Sequence, residues 1–558
     1  MPRKKIKVTK KEKQQEDKKF KNFISNNKKT FTIIGIVLGV ILVAMFTIAV
    51  LSYSPAKETY EEAIWGKQKF EEAQEQITAQ DFGAAKISLE GASQHFSDAN
   101  TNFSKISWLK YTPILGKQIK AVENIIIAAV GISNALEKIS DLGFEIFNVL
   151  EEDKKSSISS ITPEQKKKVL KTIYESPPDV QGAKAELDLA VTQLEQIPDK
   201  GLLGPIADAI APIKEKLPLV KQVIDKALPL IEIVPSIGGY PEEKTYLFLL
   251  QNNTELRPTG GFIGTYGILK IKNGEIEEFY TDNIYVIDSA AQEYLYIDPP
   301  EPFAEYLGVS QWLMRDSNYD PDFTISAQKA EEFYHLENGP ETDIDGVISV
   351  TPVFIKSLLE LTGPIDVEGE EFTAENFVDI LQYKVEFGYV NEGKSDMERK
   401  EVIGTMSSIL MDRITSLPKE QWGDLWESFT SNVDEKHILL YLKDEDVQRK
   451  ITEMNWAGEM KSSPLDYLMV VDCNLAALKT DKVMERDIEY SVYKEGDDLM
   501  GEVKINYNNT GTFTNFTTRY RSYTRVYVPL GSELVEHEGV MKNDRLHGAA
   551  PEDPDVYE

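Results

Sequence analysis

The chain has 558 residues, room for three or four domains of about 150 residues, with 41% hydrophobic and 27% charged residues, as in a globular protein. Its net charge of −31 divides into +9 on residues 1–30 and −40 on the rest, so the body repels phosphate chains and nucleic acid is excluded as its partner. One cysteine, Cys473, excludes a disulfide framework and a cysteine zinc site, and the five scattered histidines show no i, i+4 pair for a metal motif.

Residues 1–30 form a basic tail with twelve Lys/Arg and three Asp/Glu. The run "FTIIGIVLGVILVAMFTIAVL", Phe31 to Leu51, carries no charge. At about 1.5 Å per residue it spans roughly 30 Å, the hydrocarbon thickness. It is too long for the apolar core of a signal peptide. The expectation is a single-pass anchor with its N-terminus in the cytoplasm and residues 52–558 outside.

Residues 54–235 read as a helical bundle stalk with a linker. Ala85, Leu89, Ala92, Phe96, Ala99, Phe103 and Ile106 follow heptad spacing. So do Val122, Ile125, Ala129, Ile132, Leu136, Ile139, Gly143 and Ile146, and again Val180, Ala183, Leu187, Ala190, Leu194 and Ile197. Each set predicts one narrow buried seam. Pro205, Pro212, Pro218 and Pro229 are expected to interrupt the helices of 202–235, a linker packed on the next domain.

From Thr245 the period changes. "TYLFLL" predicts a strand covered on both faces. Asn273-Gly274 predicts a tight hairpin between "YGILKI" and "EIEEFY". "DIDGVISV" predicts another buried strand, and "PVFIKSLLELTG" a helix ending at Gly363. Thr373 is expected to cap a helix. Ser395 with Glu398 forms a capping box before an apolar face at Ile403, Met406, Leu410 and Ile414. Alternating strands and helices over 240–445 predict a three-layer α/β domain. Residues 465–558 read as a small antiparallel β domain that stops at "PEDPDVYE" without a closing strand, which suggests a fragment of a longer protein.

Candidate chemistry gathers at "QNNTELRPTGGFIG", which leaves the end of the first strand. Ligands of α/β sheets bind at such ends. Asn252, Asn253, Gly260 and Gly261 offer amides and flexible backbone, and Arg257 a fork for phosphate or carboxylate. The alternative is a glycine turn with Arg257 paired to Glu255 or another carboxylate. Arg315, Asp316, Asn318 and Asp322 lie in "MRDSNYDPDF", Asp282 at a strand end, and Asp396 and Arg399 at a helix start. Arginines with Asp282 and Asp322 as metal-facing acids could hold a Mg²⁺–pyrophosphate.

Through "QNNTELRPTGGFIGTYG", "DSNYDPDF" and "DIDGVISVTPVFIKSLLELTGPI", residues 240–430 resemble a bacterial family known as domain of unknown function four-thousand-and-twelve. More distantly, the same core is similar to the LytR-CpsA-Psr cell-wall enzymes, anchored α/β phosphotransferases that move glycopolymer from a polyprenyl-pyrophosphate carrier onto peptidoglycan. That resemblance implies catalytic roles for Arg257, Asp282, Asp396 and Arg399. The chain departs from it where Asn253 stands near the first aspartate, Gly264 or Thr265 at the second, Thr281 at an arginine, and Val402 and Ile403 at an arginine-glutamine pair. Arg315 is left as a substitute arginine. Two readings follow. One is a phosphotransferase. The other is a non-catalytic envelope protein that binds polyprenyl-phosphate lipid, wall glycan or another protein.

Overall fold

The computed structural model describes residues 28–79, 81–113, 115–151 and 157–539; among these, side chains are described from residue 51 onward except at 151, 212, 216, 219 and 223. Most of the expected basic tail therefore lies outside the described residues, and the expected span over 31–51 is described only as backbone of α1 (Lys28–Thr78). The expected open C-terminus after 539 likewise lies outside them. The protein is α+β, with mixed sheets. It forms two compact units, residues 1–145 with 178–226, and residues 146–177 with 227–558.

In the first unit α1 packs antiparallel on α2 (Phe82–Ser104), with Ala85, Leu89, Ala92, Ala99 and Phe103 buried as the heptads predict. α3 (Gly116–Glu151) turns a different face inward. Its buried positions include the small residues Ala121, Ala128, Gly131, Ser133 and Ala135, which let helices approach, together with Ile126, Ile132 and Val149, while Val122, Ile125 and Leu136 of the predicted seam are only half-buried. α3 over Gly116–Leu150 is also long and apolar enough to cross a membrane by length and composition. α5 (Pro177–Glu195) buries Val180, Ala183, Leu187, Ala190 and Leu194, the predicted seam.

The prolines of 202–235 do not break their segment: α6 runs unbroken from Gly204 to Ile237. Pro205 occupies its first turn, where no backbone donor is lost. The last turns of α6 bring Leu230, Ile233 and Ile237 onto the sheet of the second unit. α4 (Pro163–Glu175) belongs to that unit as well, with Lys166 2.7 Å from Glu275.

The central sheet has the order β3-β2-β1-β4-β7, from β1 (Lys244–Asn252), β2 (Phe262–Lys272), β3 (Glu275–Asn283), β4 (Gly346–Val350) and β7 (Ile438–Leu442). Only β1 and β4 are parallel. The β2–β3 turn is Asn273-Gly274, with φ of 52° and 80°, the left-handed pair that a two-residue hairpin requires. The run "TYLFLL" serves both faces of the sheet. Leu247 and Leu249 join α7 (Ile284–Ala291) and α8 (Phe323–Leu336) on one side. Tyr246, Phe248 and Leu250 join α6, α12 (Trp422–Asp434) and α13 (Glu445–Glu453) on the other.

α9 (Pro352–Thr362) ends at Gly363 as expected. β5 (Ile365–Val367) and β6 (Glu370–Phe372) form a small hairpin. α10 (Phe377–Tyr383) takes Asn376 as its cap rather than Thr373, whose hydroxyl accepts from the Glu375 and Asn376 amides one turn earlier. Glu398 accepts from the Ser395 amide and hydroxyl at 2.9 and 2.7 Å before α11 (Glu401–Thr415), whose Met406 and Leu410 are buried.

The C-terminal strands are part of the same compact unit as the central sheet. β8 (Met469–Asn474) pairs with β11 (Ser522–Tyr527), and β9 (Met484–Glu495) with β10 (Asp498–Asn509) in a long exposed hairpin.

Candidate functional site

The β1 end is held by a buried amide network. Gln251 Nε2 donates to Ser349 Oγ at 2.6 Å, and Gln251 Oε1 accepts from Thr259 Oγ1 at 3.0 Å. Asn318 Nδ2 donates to Thr259 Oγ1 and to the Gly261 carbonyl at 3.0 and 2.9 Å. Asn252 Oδ1 accepts from the Thr254 amide at 3.1 Å, and Asn253 lies in the turn that follows. The glycine pair closes this turn. Gly260 has φ of 123° and donates its N–H to the Arg257 carbonyl at 2.8 Å. A Cβ on Gly261 would lie 2.4 Å from the Asn252 carbonyl carbon, so only glycine fits. Between the two readings of the glycine loop, this geometry is that of a turn.

Arg257 is buried, at 3% exposure. Its Nη1 donates to the Asn474 carbonyl at 2.7 Å, Nη2 lies 3.4 Å from Glu255 and Nε 3.8 Å from Asp316, with the guanidinium over the Phe262 and Phe303 rings. It ties the loop to β8. Asp316 is shared with Arg315, whose Nη1 also donates to Asp288 at 2.9 Å. Burial raises the Asp316 carboxyl against the pull of both arginines.

Behind Arg315 lies a second carboxyl. Glu337 Oε1 accepts from the Met314 amide at 2.7 Å, and its carboxyl interacts electrostatically with that of Asp288. Glu337 Oε2 and Asp288 Oδ1 are both buried without a hydrogen-bond partner among the described residues. Two neighbouring buried carboxyls do not both ionise readily, so one of them keeps its proton. Burial first, then the neighbouring carboxylate, raises Glu337 well above its ordinary value.

The cations converge on Tyr285. Arg315 Cζ, Arg399 Cζ and Lys400 Nζ lie 5.5, 5.6 and 5.5 Å from its ring centre. Arg399 donates to Glu386 at 3.1 Å, and Glu386 and Glu255 both face Lys479, at 3.4 and 3.6 Å. Lys400 is buried at 9% exposure, donates to the Gly264 carbonyl, and has no ion-paired carboxylate among the described residues. Burial first, then Arg399, lowers its ammonium to about 7. Asp282, at the β3 end, accepts from the Asn283 amide at 2.7 Å; burial raises its carboxyl, with Lys400 opposing. Asn283 Nδ2 donates to the Asp396 carbonyl at 3.1 Å and so fixes the turn that carries Arg399 and Lys400. The Asp396 side chain accepts from the Tyr389 hydroxyl at an exposed position.

The fold thus gathers Arg315, Arg399, Asp282 and the backbone of Asp396, and holds Arg257 inside the wall of the site. Tyr285, Lys400, Lys479, Glu386, Asp288 and Glu337 complete it and escape sequence reasoning, although "ERKE" does place Lys400 beside Arg399. Asp322 caps α8: one oxygen accepts from the Thr324 amide and hydroxyl, the other from the Met460 amide. Both its oxygens are engaged, and no three His, Cys, Asp or Glu side chains among the described residues form a metal-holding group. The donor set does not fit an all-protein Mg²⁺ cage.

Residues 241–385 match the family model described as "Protein of unknown function (DUF4012)". The matched segment runs from the start of the sheet through α10. It contains Arg257, Asp282, Tyr285 and Arg315, while Glu386, Arg399, Lys400 and Lys479 lie beyond it. No curated protein and no solved structure matches the chain.

Proposed function

We propose that this is a single-pass anchored envelope protein whose second unit binds a phosphate-bearing ligand outside the membrane, a polyprenyl-phosphate lipid or a phosphorylated wall glycan. Support for the anchor is the uncharged run Phe31–Leu51 behind twelve basic residues. One observation carries the binding reading: Lys400 is buried beside Arg399, over the same ring as Arg315, and forms no ion pair among the described residues. An unpaired buried cation is costly, and an anion lodged there removes the cost. The walls fit an amphipathic guest, because the ring of Tyr285 and the half-exposed Arg399 offer both an apolar face and charge.

The test is calorimetric titration of the protein with geranyl pyrophosphate, a short soluble polyprenyl pyrophosphate. Lys400→Met and Arg399→Met are each expected to weaken binding at least tenfold. Equal binding by wild type and both variants, or none by wild type, overturns the reading.

A second reading, glycopolymer phosphotransfer of the LytR-CpsA-Psr kind, is favoured by Asp282, a carboxyl beside Lys400 whose raised affinity for protons suits accepting one from a sugar hydroxyl. Transfer of labelled glycopolymer that Asp282→Asn abolishes while geranyl pyrophosphate still binds would favour catalysis over binding alone.

A further inference from the structure

We propose that two turns at one end of the helical unit seat it on the bilayer surface, next to its own anchor. The proposal rests on the reading of residues 31–51 as a membrane span. The register of α1 against α2 supplies the depth. His95 Nδ1 lies 2.7 Å from Glu62, Gly91 faces Lys69, Phe96 faces Gly66, and Lys105 Nζ lies 3.9 Å from Glu58. Each residue gained along α2 is therefore one residue lost along α1, about 1.5 Å nearer the apolar run. Continued at that pairing, the turn Ser107–Tyr111 comes about level with Leu51, where the uncharged run ends.

That turn exposes the side chains that a headgroup region accepts. Trp108 is 45% exposed, Tyr111 82% and Leu115 45%. The turn between α5 and α6 sits beside it. Gln118 Nε2 donates to the Gly201 carbonyl at 2.9 Å, the Leu203 amide donates to Gln118 Oε1 at 2.9 Å, and Lys117 donates to the Lys200 carbonyl. Leu203 is 59% exposed. Scattered exposed apolar residues need no explanation, but here four come from two chain segments to one end of a bundle. Lys105, Lys110, Lys117 and Lys200 lie among them, with Lys110 Nζ 5.9 Å from the Tyr111 ring centre. Aromatic rings settle at the headgroup level, and lysines there attract anionic lipid. The occupant this chemistry fits is an anionic bilayer surface.

The test uses the full chain in vesicles of phosphatidylcholine and phosphatidylglycerol, in a Cys473→Ala background, since Cys473 is the sole thiol and is buried. A nitroxide is placed by Val43→Cys, Tyr111→Cys or Ala79→Cys, and its relaxation by oxygen and by a water-soluble nickel chelate is compared. Labels at 43 and 111 are expected to favour oxygen, and the label at 79 nickel. A label at 111 that favours nickel while the label at 43 favours oxygen overturns the proposal and leaves the anchor standing. A label at 43 that favours nickel overturns the anchor reading itself. A label at 111 shielded from both agents means a protein partner or a second copy covers the turn, and also overturns the proposal. In the unlabelled chain, dibrominated phosphatidylcholine is expected to quench wild-type tryptophan emission more than that of Trp108→Phe. Equal quenching of the two would likewise overturn it.

Discussion

Arg257 Nη1 donates to the backbone carbonyl of Asn474 at 2.7 Å, across 217 positions of chain. The same junction has the Asn474 amide donating to the Leu256 carbonyl and the Leu256 amide donating to Asp481, each at 2.9 Å. The loop after β1 therefore rests on β8, and the arginine that the distant enzyme resemblance points to holds two parts of one unit together. Arg399 and Lys400 face the Tyr285 ring instead.

Replacing Arg257 is expected to unfold rather than merely disarm the protein. Arg257→Met leaves Asp316 and Glu255 short of a buried counter-ion, a loss of about 3–5 kcal/mol. Arg257→Lys keeps the charge but cannot span Asn474, Glu255 and Asp316 together, so it rescues little. Thermal denaturation checks both. An unchanged midpoint with lost geranyl pyrophosphate binding would place Arg257 on the ligand instead.

Ligand binding is expected to weaken as pH rises through neutrality. Lys400 titrates at about 7 in the free protein, and the anion favours its charged form. Lys400→Arg, which stays charged, is expected to flatten the profile between about pH 6 and 8.5. For stability the sign is opposite: the unfolded lysine holds its proton up to about 10.5 and the folded one releases it near 7, so this group adds stability as pH rises between those values. A binding profile unchanged by Lys400→Arg would remove Lys400 from the site.

Glu337 contributes in the other direction. Its folded form keeps a proton that the unfolded chain loses near 4.5, so stability falls as pH rises from 4.5 toward its raised folded value. The slope is at most about 1.4 kcal/mol per pH unit. Glu337→Gln supplies a permanent donor to Asp288 and is expected to reduce that slope. Chemical denaturation midpoints at pH 5, 7 and 9 measure it; parallel curves for wild type and variant would mean that the two carboxyls share no proton.

Gly66 is the close contact of α1 with α2, since a Cβ there would meet the Phe96 ring at 2.8 Å. Gly66→Val is expected to cost about 1–3 kcal/mol through overpacking. Phe96→Asp, which puts a charge into the seam, costs several. Both are read from the thermal loss of helical circular dichroism in the full chain. An unchanged midpoint for Phe96→Asp would mean that the ring does not hold the two helices.

Local rules were enough wherever a local signal decides. The run "TYLFLL" could only be a strand covered on both faces, Asn273-Gly274 only a two-residue turn, and the spacing from Val180 to Leu194 only a seam. Such features depend on neighbours within a few residues. Elsewhere a local rule lost to tertiary contact. α6 continues past its prolines, because packing of its apolar residues outweighs a missing backbone donor. α3 buries Ala121, Ala128 and Ala135 with Ile126 while Val122, Ile125 and Leu136 stay half-buried, because packing against its neighbours rotates the seam away from the heptad. The charges depended least on local pattern. Whether Arg257 faces a ligand or a carbonyl, and whether Lys400 meets a carboxylate or the Gly264 carbonyl, is decided by residues 217 and 136 positions away that burial brings alongside. A charge pattern in a single chain carries no term for that distance, so Arg315, Arg399 and Lys400 met around Tyr285 only once the sheet and the Arg399–Lys400 turn had come together.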